Sequence, residues 1–155
     1  MPLNVGDEAP DFELKDQNEE GFRLSDFRGK AVLLSFHPLA WTGVCADQMK
    51  SLEANRAKFD ELDAVAVGVN VDSVFSKRAW AESLGIEHTR LLSDFWPHGE
   101  VARKYGFFRE RNGFSERANV IVDPDGKVAF VKVYEIGTVP PVDEIIEALA
   151  NLKGR

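Results

Sequence analysis

The chain has 155 residues, of which 44% are hydrophobic and 29% charged, a composition typical of a globular protein. Its net charge of −7 opposes binding to nucleic acid or anionic lipid, because both rely on clustered Lys and Arg. No apolar run approaches the roughly 20 residues of a membrane span, and the start, MPLNVGDEAPDF, is acidic where a signal peptide would be basic. We therefore expect one cytoplasmic domain over residues 1–155 that binds neither nucleic acid nor membrane.

The predicted elements begin with a hairpin, because DFEL (11–14) and GFRLS (21–25) alternate in polarity around the polar KDQNEEG. AVLLSFH (31–37) is continuously apolar, which is typical of a strand buried on both faces. Helical periodicity then extends from residue 43 to residue 59, with Thr42 in position for the N-cap.

The second half of the chain alternates strands with helices. Strands are predicted at 64–71 and 89–93, a helix at 74–84, two strands around the turn DPDG within 117–134, and a closing helix at 142–152. Strand–helix–strand alternation implies parallel pairing with a crossover. The predicted fold class is α/β, a thioredoxin-like fold with a central mixed β-sheet flanked by helices and an N-terminal β-hairpin extension.

The chain contains one cysteine, Cys45, at the end of the segment HPLAWTGVC. A single cysteine cannot form an internal disulfide, and the three histidines, His37, His88 and His98, have no metal-ligand spacing. We therefore expect no metal and no cofactor. Cys45 falls in the first turn of the predicted helix, where free N–H groups and the positive end of the helix dipole favour a thiolate. Position alone leaves two interpretations open, a reactive thiolate or a buried structural cysteine.

The neighbours of Cys45 favour the first interpretation. PLAWTGVC contains the pattern PxxxTxxC and resembles the active-site motif of the peroxiredoxins. The resemblance extends to VGDEAPDFEL, AVGVNVDS and RANVIVDPDGKV, and LLSDFWPHGEVARKYG is similar to the alkyl hydroperoxide reductase E type of single-cysteine peroxiredoxin. It implies a peroxidase for hydrogen peroxide, organic hydroperoxides or peroxynitrite that assembles as a homodimer.

The resemblance also implies catalytic roles for four residues. Cys45 is the attacking thiolate, and the Thr42 hydroxyl orients the peroxide. Pro38 covers the sulfur, and Arg117 places a fixed positive charge beside it. Simpler roles stay open for three of them: an N-cap for Thr42, a strand terminator for Pro38 and a surface residue for Arg117. If Arg117 is only a surface residue, Arg109 and Arg111 are the next candidates for the catalytic arginine.

Three residues are predicted to contact substrate or to support those that do. The Val44 N–H is available to the peroxide oxygens. Gln48 stands where many relatives have Glu, and its neutral amide can still accept a hydrogen bond from Arg117. Trp80 matches a position where relatives often have Trp, for function or for packing. An apolar rim for an alkyl chain is offered by Phe36, Leu39, Trp41 and Phe114.

Cys45 is the only sulfur nucleophile, so a resolving thiol must come from another molecule. A thiol–disulfide oxidoreductase of similar fold is an alternative, although TGVC has Thr where CxxC has its second cysteine. A non-catalytic redox sensor is another. The adjacent Phe95 and Trp96 are predicted to lie in a dimer interface or to fold inward. His98 is expected in a turn that opens a helix, and His37 near the pocket.

Overall fold

The structure is a computed structural model that describes residues 3–154. Its strands are β1 (Glu13–Lys15), β2 (Gly21–Arg23), β3 (Ala31–Phe36), β4 (Ala64–Asn70), β5 (Arg90–Ser93), β6 (Phe108–Arg109), β7 (Phe114–Ser115), β8 (Arg117–Val122) and β9 (Val128–Tyr134). Its helices are α1 (Gly43–Ala54), α2 (Arg56–Glu61), α3 (Val74–Leu84), α4 (Glu100–Lys104) and α5 (Val142–Lys153). No helix among the described residues is long and apolar enough to cross a membrane.

Seven strands form one mixed sheet in the order β2-β1-β5-β4-β3-β8-β9. β3 pairs in parallel with β4, and β4 with β5, as the strand–helix–strand pattern predicts. β8 pairs antiparallel with β3 on its other side and with β9 around the DPDG turn. The predicted thioredoxin-like α/β fold with a central mixed sheet is therefore confirmed.

The two faces of the sheet bury separate apolar clusters, because successive residues of a strand point to opposite faces. On β3, Val32, Leu34 and Phe36 belong to one cluster, whereas Ala31 and Leu33 belong to the other. The second cluster also receives the inner face of α1, whose buried residues, Cys45, Gln48, Met49 and Leu52, have helical spacing. Cys45 therefore faces the sheet.

Three predicted boundaries were wrong. The first strand, predicted over 11–14, spans Glu13–Lys15. The helix predicted over 43–59 breaks at Asn55, whose side-chain amide donates to the Ser51 carbonyl at 2.7 Å and so competes with the helical bonds. The strand predicted over 21–25 ends at Arg23, because the next amides, Leu24 and Ser25, bond to the Phe12 carbonyl and the Asp11 carboxylate. The turn that follows is a short 3-10 helix.

Two further features differ from the sequence prediction. The N-terminal hairpin belongs to the main sheet, since β1 pairs with β5 through Lys15 and Ser93. The small hairpin β6–β7 was missed because strands of two residues carry no detectable alternation.

Candidate active site

Cys45 lies in the first turn of α1, directly after the chain leaves the end of β3. Thr42 is the N-cap residue, and the first helical hydrogen bond runs from the Ala46 N–H to the Thr42 carbonyl at 2.9 Å. The amides of Val44 and Cys45 precede this bond and so lack a helical acceptor. They present partial positive charge close to a sulfur whose residue is 0% exposed.

Arg117 brings a guanidinium to this sulfur from β8, the strand beside β3. Its Nη1 donates to Cys45 Sγ at 3.3 Å and to Gln48 Oε1 at 2.7 Å. Its Nε donates to the Ile136 carbonyl at 2.9 Å. The residue is 2% exposed, so a buried charge is held in one orientation against the sulfur, as a planar guanidinium allows.

Gln48 continues the contact into a hydrogen-bonded chain. Its Nε2 donates to Ser35 Oγ at 2.7 Å and to the Phe36 carbonyl at 3.2 Å. Ser35 Oγ donates in turn to Asn119 Oδ1 at 2.7 Å. The Gln48 amide therefore accepts from Arg117, and its orientation is set by its bonds to Ser35 and Phe36 on β3. Gln48 contacts the arginine and does not line the cavity described next.

A cavity of about 310 Å³ opens above this network. Pro38, Thr42, Val44 and Arg117 line it, so four of the predicted site residues meet around one space. Cys45 does not line the cavity and is linked to it through Arg117, whose Nη1 contacts the sulfur. Most of the lining is apolar. The remaining lining residues are Leu39 and Phe114, which were predicted for the rim, and Gly43, Ile136 and Gly137, which were not.

Thr42 does not cap α1 with its side chain. Its Oγ1 donates to the Leu39 carbonyl at 2.9 Å. A hydroxyl that donates its proton in this way keeps its lone pairs as acceptors. Thr42 can therefore accept a hydrogen bond from an O–H group of a ligand in the cavity.

Three predicted contact residues lie elsewhere. Phe36 is buried in the cluster on the opposite face from Cys45, because strand alternation places it with Val32 and Leu34. Trp41, at a φ of 69°, is 57% exposed, and its Nε1 donates to Ser76 Oγ at 3.0 Å. Trp80 is 1% exposed and stacks on His37 with ring centroids 5.5 Å apart. The packing role left open for Trp80 is the one observed.

The histidines His37 and His98 and the other candidate arginines have distinct surroundings, and Arg111 is exposed. His37 is fully buried, and burial together with the nearby Lys77 charge holds its pKa well below the usual value. His98 precedes α4 in a turn, as expected, where its Nε2 lies 2.7 Å from the Gly113 carbonyl. Arg109 pairs with Glu116 at 3.0 Å, and both side chains are about one-third exposed.

Besides Gly43, four residues of the site were missed from sequence. Ser35 and Asn119 are ordinary strand residues by pattern, and their mutual contact depends on the register of β3 against β8. Ile136 and Gly137 follow β9, whose Tyr134 pairs with Arg117. The register of the β8–β9 hairpin is the one sequence signal that could have placed them, because the residues after Tyr134 must pass beside the start of β8.

Solved structures with this fold give the class of protein. The reduced 2-Cys peroxiredoxin of Plasmodium vivax has a TM-score of 0.88 and 29% sequence identity, and the match covers 99% of this chain and 83% of that one. Peroxidoxin BcpB of Mycobacterium tuberculosis has a TM-score of 0.84 and 28% identity, with 97% and 98% covered. The class is that of the peroxiredoxins, thiol peroxidases with a thioredoxin-like fold.

Sequence comparison narrows this class. The family model described as AhpC/TSA family matches residues 5–131. Over 151 residues the chain is 40% identical to alkyl hydroperoxide reductase E of Mycobacterium tuberculosis, covering 97% of this chain and 98% of the relative. The chain belongs to the AhpC/TSA family of peroxiredoxins and is a thiol-dependent peroxidase, and its single cysteine fits the one-cysteine type.

Proposed function

We propose that Cys45 is the nucleophile of a one-cysteine peroxidase that reduces hydrogen peroxide, organic hydroperoxides and peroxynitrite. The observation that carries the proposal is the 3.3 Å contact from Arg117 Nη1 to Cys45 Sγ at the start of α1. A fixed positive charge and two helix-terminal amides favour a thiolate there and accompany the charge as it moves to oxygen.

In the first step the thiolate of Cys45 attacks the terminal oxygen of the peroxide. An S–O bond forms while the O–O bond breaks, so the sulfur is oxidised to sulfenic acid. The remaining fragment leaves as an alkoxide or hydroxide that takes up a proton, or as nitrite when the substrate is peroxynitrite. Thr42 accepts the terminal O–H of the incoming peroxide. Arg117 lines the cavity and touches the sulfur, which supports a role for it in stabilising the transition state.

In the second step a thiol from outside the chain attacks the sulfenic acid. Water leaves and a mixed disulfide forms, and a second thiol then releases Cys45 while the two external sulfurs join. Cys45 is the only cysteine in the sequence, which supports this route over an internal resolving disulfide. The reductant is either a low-molecular-weight thiol or a redoxin.

The cavity supports organic hydroperoxides as substrates beside the smaller peroxides. Leu39, Val44, Phe114 and Ile136 offer apolar side chains within about 310 Å³, enough for a short alkyl or aryl group. A hydroperoxide would therefore place its apolar group on these residues and its O–O bond toward Arg117.

Rapid mixing of the reduced protein with hydrogen peroxide, cumene hydroperoxide and peroxynitrite tests this function. Cys45→Ser should abolish peroxide consumption, and one equivalent of peroxide should add one oxygen atom to the wild-type mass. Continued consumption by Cys45→Ser would refute the proposal. Oxidation of Cys45 without multiple turnovers, whichever thiol is supplied, would instead support the redox sensor. Multiple turnovers of disulfide exchange without peroxide would support the oxidoreductase.

We also propose a homodimer in a reducing, cytoplasmic setting. Phe95 is 52% exposed and Trp96 81% exposed, so these two side chains do not fold inward in the single chain. Large adjacent aromatics on a surface are usually covered by a partner, and a second copy fits the expectation from the family. Sedimentation of the wild type and of a Trp96→Ser variant at micromolar concentration tests the interface. A monomeric wild type would refute it.

A further inference from the structure

Lys77 on α3 is a fully buried lysine, with 0% of its surface exposed. Within residues 3–154, two buried side-chain polar atoms have no hydrogen-bond partner, Lys77 Nζ and His37 Nε2. Burying a cation without such a partner costs free energy. An apolar side chain of the same length would fill this place on α3 at lower cost, so packing does not account for a lysine here.

The titratable groups around Lys77 come from four elements. Asp72 after β4, Cys45 on α1 and Asp94 after β5 all attract its charge, whereas His37 at the end of β3 is pushed toward its neutral form. Both carboxylates already have amide partners. Asp72 Oδ2 accepts from the Ala40 N–H at 2.7 Å and the Asn70 side chain at 2.8 Å, and Asp94 accepts from the Val101 and Ala102 amides at 3.0 Å each.

Lys77 is also placed to change its charge during the reaction. Burial lowers its pKa to about 7, against the attraction of Asp72, Cys45 and Asp94. Burial raises the pKa of Asp94 to about 6, so this carboxyl is mostly charged at neutral pH. Of the three attracting groups, Cys45 is the one whose charge disappears when sulfur is oxidised. The loss of the thiolate removes one source of attraction for the Lys77 proton.

We propose that Lys77 is a positioning residue of the peroxidase, a buried ammonium that stabilises the Cys45 thiolate and gives up its proton once the sulfur is sulfenic acid. The proposal rests on the proposed function of Cys45. Thiolate and ammonium react with a hydroperoxide to give sulfenic acid, neutral amine and alcohol, so the charges and protons balance. The proton that Lys77 releases to solvent offsets the one that the departing alkoxide takes up.

Proton uptake during a single oxidation is the measurement that a packing role would not change. In weakly buffered solution with a pH indicator, near pH 7, wild-type protein should take up less than one proton per sulfur oxidised. Lys77→Met, which has no amine to discharge, should take up one full proton for each thiolate consumed. Lys50→Met is the matched control, because it removes the same charge from an exposed position on α1 and should behave as the wild type.

The pH profile of the oxidation rate gives a second readout. In Lys77→Met the midpoint should move to higher pH, while Lys50→Met leaves it in place. Equal proton uptake and equal midpoints in wild type and Lys77→Met would overturn the proposal. If wild type and Lys77→Met behave alike but Cys45→Ser is inactive, the proposed function of Cys45 stands and only the role of Lys77 is refuted. Peroxide consumption by Cys45→Ser would refute the proposed function of Cys45.

A measurement on the wild type keeps the test independent of whether the variant folds. With lysine labelled by ¹³C at Cε, the Lys77 signal should titrate near pH 7 in the reduced protein. After one equivalent of peroxide it should titrate at lower pH. An identical titration before and after oxidation would also overturn the proposal.

Discussion

The polar groups around Cys45 differ between its β8 side and its α3 side. On the β8 side, Arg117, Gln48, Ser35 and Asn119 form a continuous hydrogen-bonded chain with three links of 2.7 Å. On the α3 side, Lys77 Nζ has no hydrogen-bond partner within residues 3–154. A network in which every polar group has a hydrogen-bond partner fixes the position of a charge. An amine without such a partner can gain or lose its proton. The comparison indicates that one side holds the geometry and the other adjusts the charge.

Removing the positive charge of Arg117 is expected to have a larger effect than substitution of Lys77 or Gln48. Arg117→Ala should lower the rate constant for peroxide by about 10²–10³, equivalent to roughly 2.7–4 kcal/mol, because the loss resembles deletion of an oxyanion donor. Stopped-flow oxidation of the reduced variant measures the change. Arg109→Ala is the matched control, since that arginine pairs with Glu116 near the surface. Near-normal reactivity of Arg117→Ala would contradict the role given to the β8 side.

The Lys77 amine on the α3 side should make the free energy of unfolding depend on pH. The pKa of Lys77 is about 7 in the folded protein against an ordinary value of 10.5, so the unfolded chain binds more protons between these values. Stability therefore rises with pH across that window and is unaffected by Lys77 below it, where both states are protonated. The expected gain is on the order of 3 kcal/mol between about pH 7 and pH 9.5.

Urea denaturation at both pH values measures this gain. Lys77→Met should lack it and should be more stable than the wild type at neutral pH, because it no longer buries a charge without a hydrogen-bond partner. Lys50→Met should keep the wild-type slope. A Lys77→Met protein that is less stable than the wild type at neutral pH, with the same pH slope, would show that the α3 side is ordinary packing.

The sequence was sufficient for the parts of the fold that local pattern controls. The apolar run at 31–37 and the helical spacing after Thr42 place Cys45 at a helix start, and the structure agrees. The break at Asn55 was not predictable from periodicity, because Phe59 continues the same apolar face beyond it. A side chain that competes for one backbone carbonyl decides such a boundary.

The site was predictable only where a motif or a resemblance named the residue. Pro38, Thr42, Val44 and Arg117, which the resemblance named, line one cavity, and their catalytic roles stay predictions. Lys77 was not found, because a lysine on an amphipathic helix is normally assigned to the solvent face. Its burial follows from the way α3 packs on β5, with Trp80 and Ala81 also facing inward. The spacing of Lys77, three and four residues before Trp80 and Ala81, was the one sequence signal for this burial.

The smallest expected effect comes from breaking the β8 network at Gln48. Gln48→Leu removes the acceptor for Arg117 Nη1 but leaves the Ile136 carbonyl on Nε, so the guanidinium loses one of two oxygen contacts. We expect a rate about 10-fold lower, or roughly 1.4 kcal/mol of barrier, and a stability loss of about 1–3 kcal/mol from the unpaired buried donor. Stopped-flow oxidation and urea denaturation measure the two losses.

Gln48→Glu separates orientation from charge in the same network. The carboxylate keeps an acceptor for Arg117 and adds a negative charge near the sulfur, while the donor to Ser35 and Phe36 is lost. If Gln48 acts by orienting the guanidinium, Gln48→Glu should react faster than Gln48→Leu at the same pH. Wild-type rates in Gln48→Leu would show instead that Arg117 does not need Gln48 to hold it, and that the hydrogen-bonded chain on the β8 side does not set the rate.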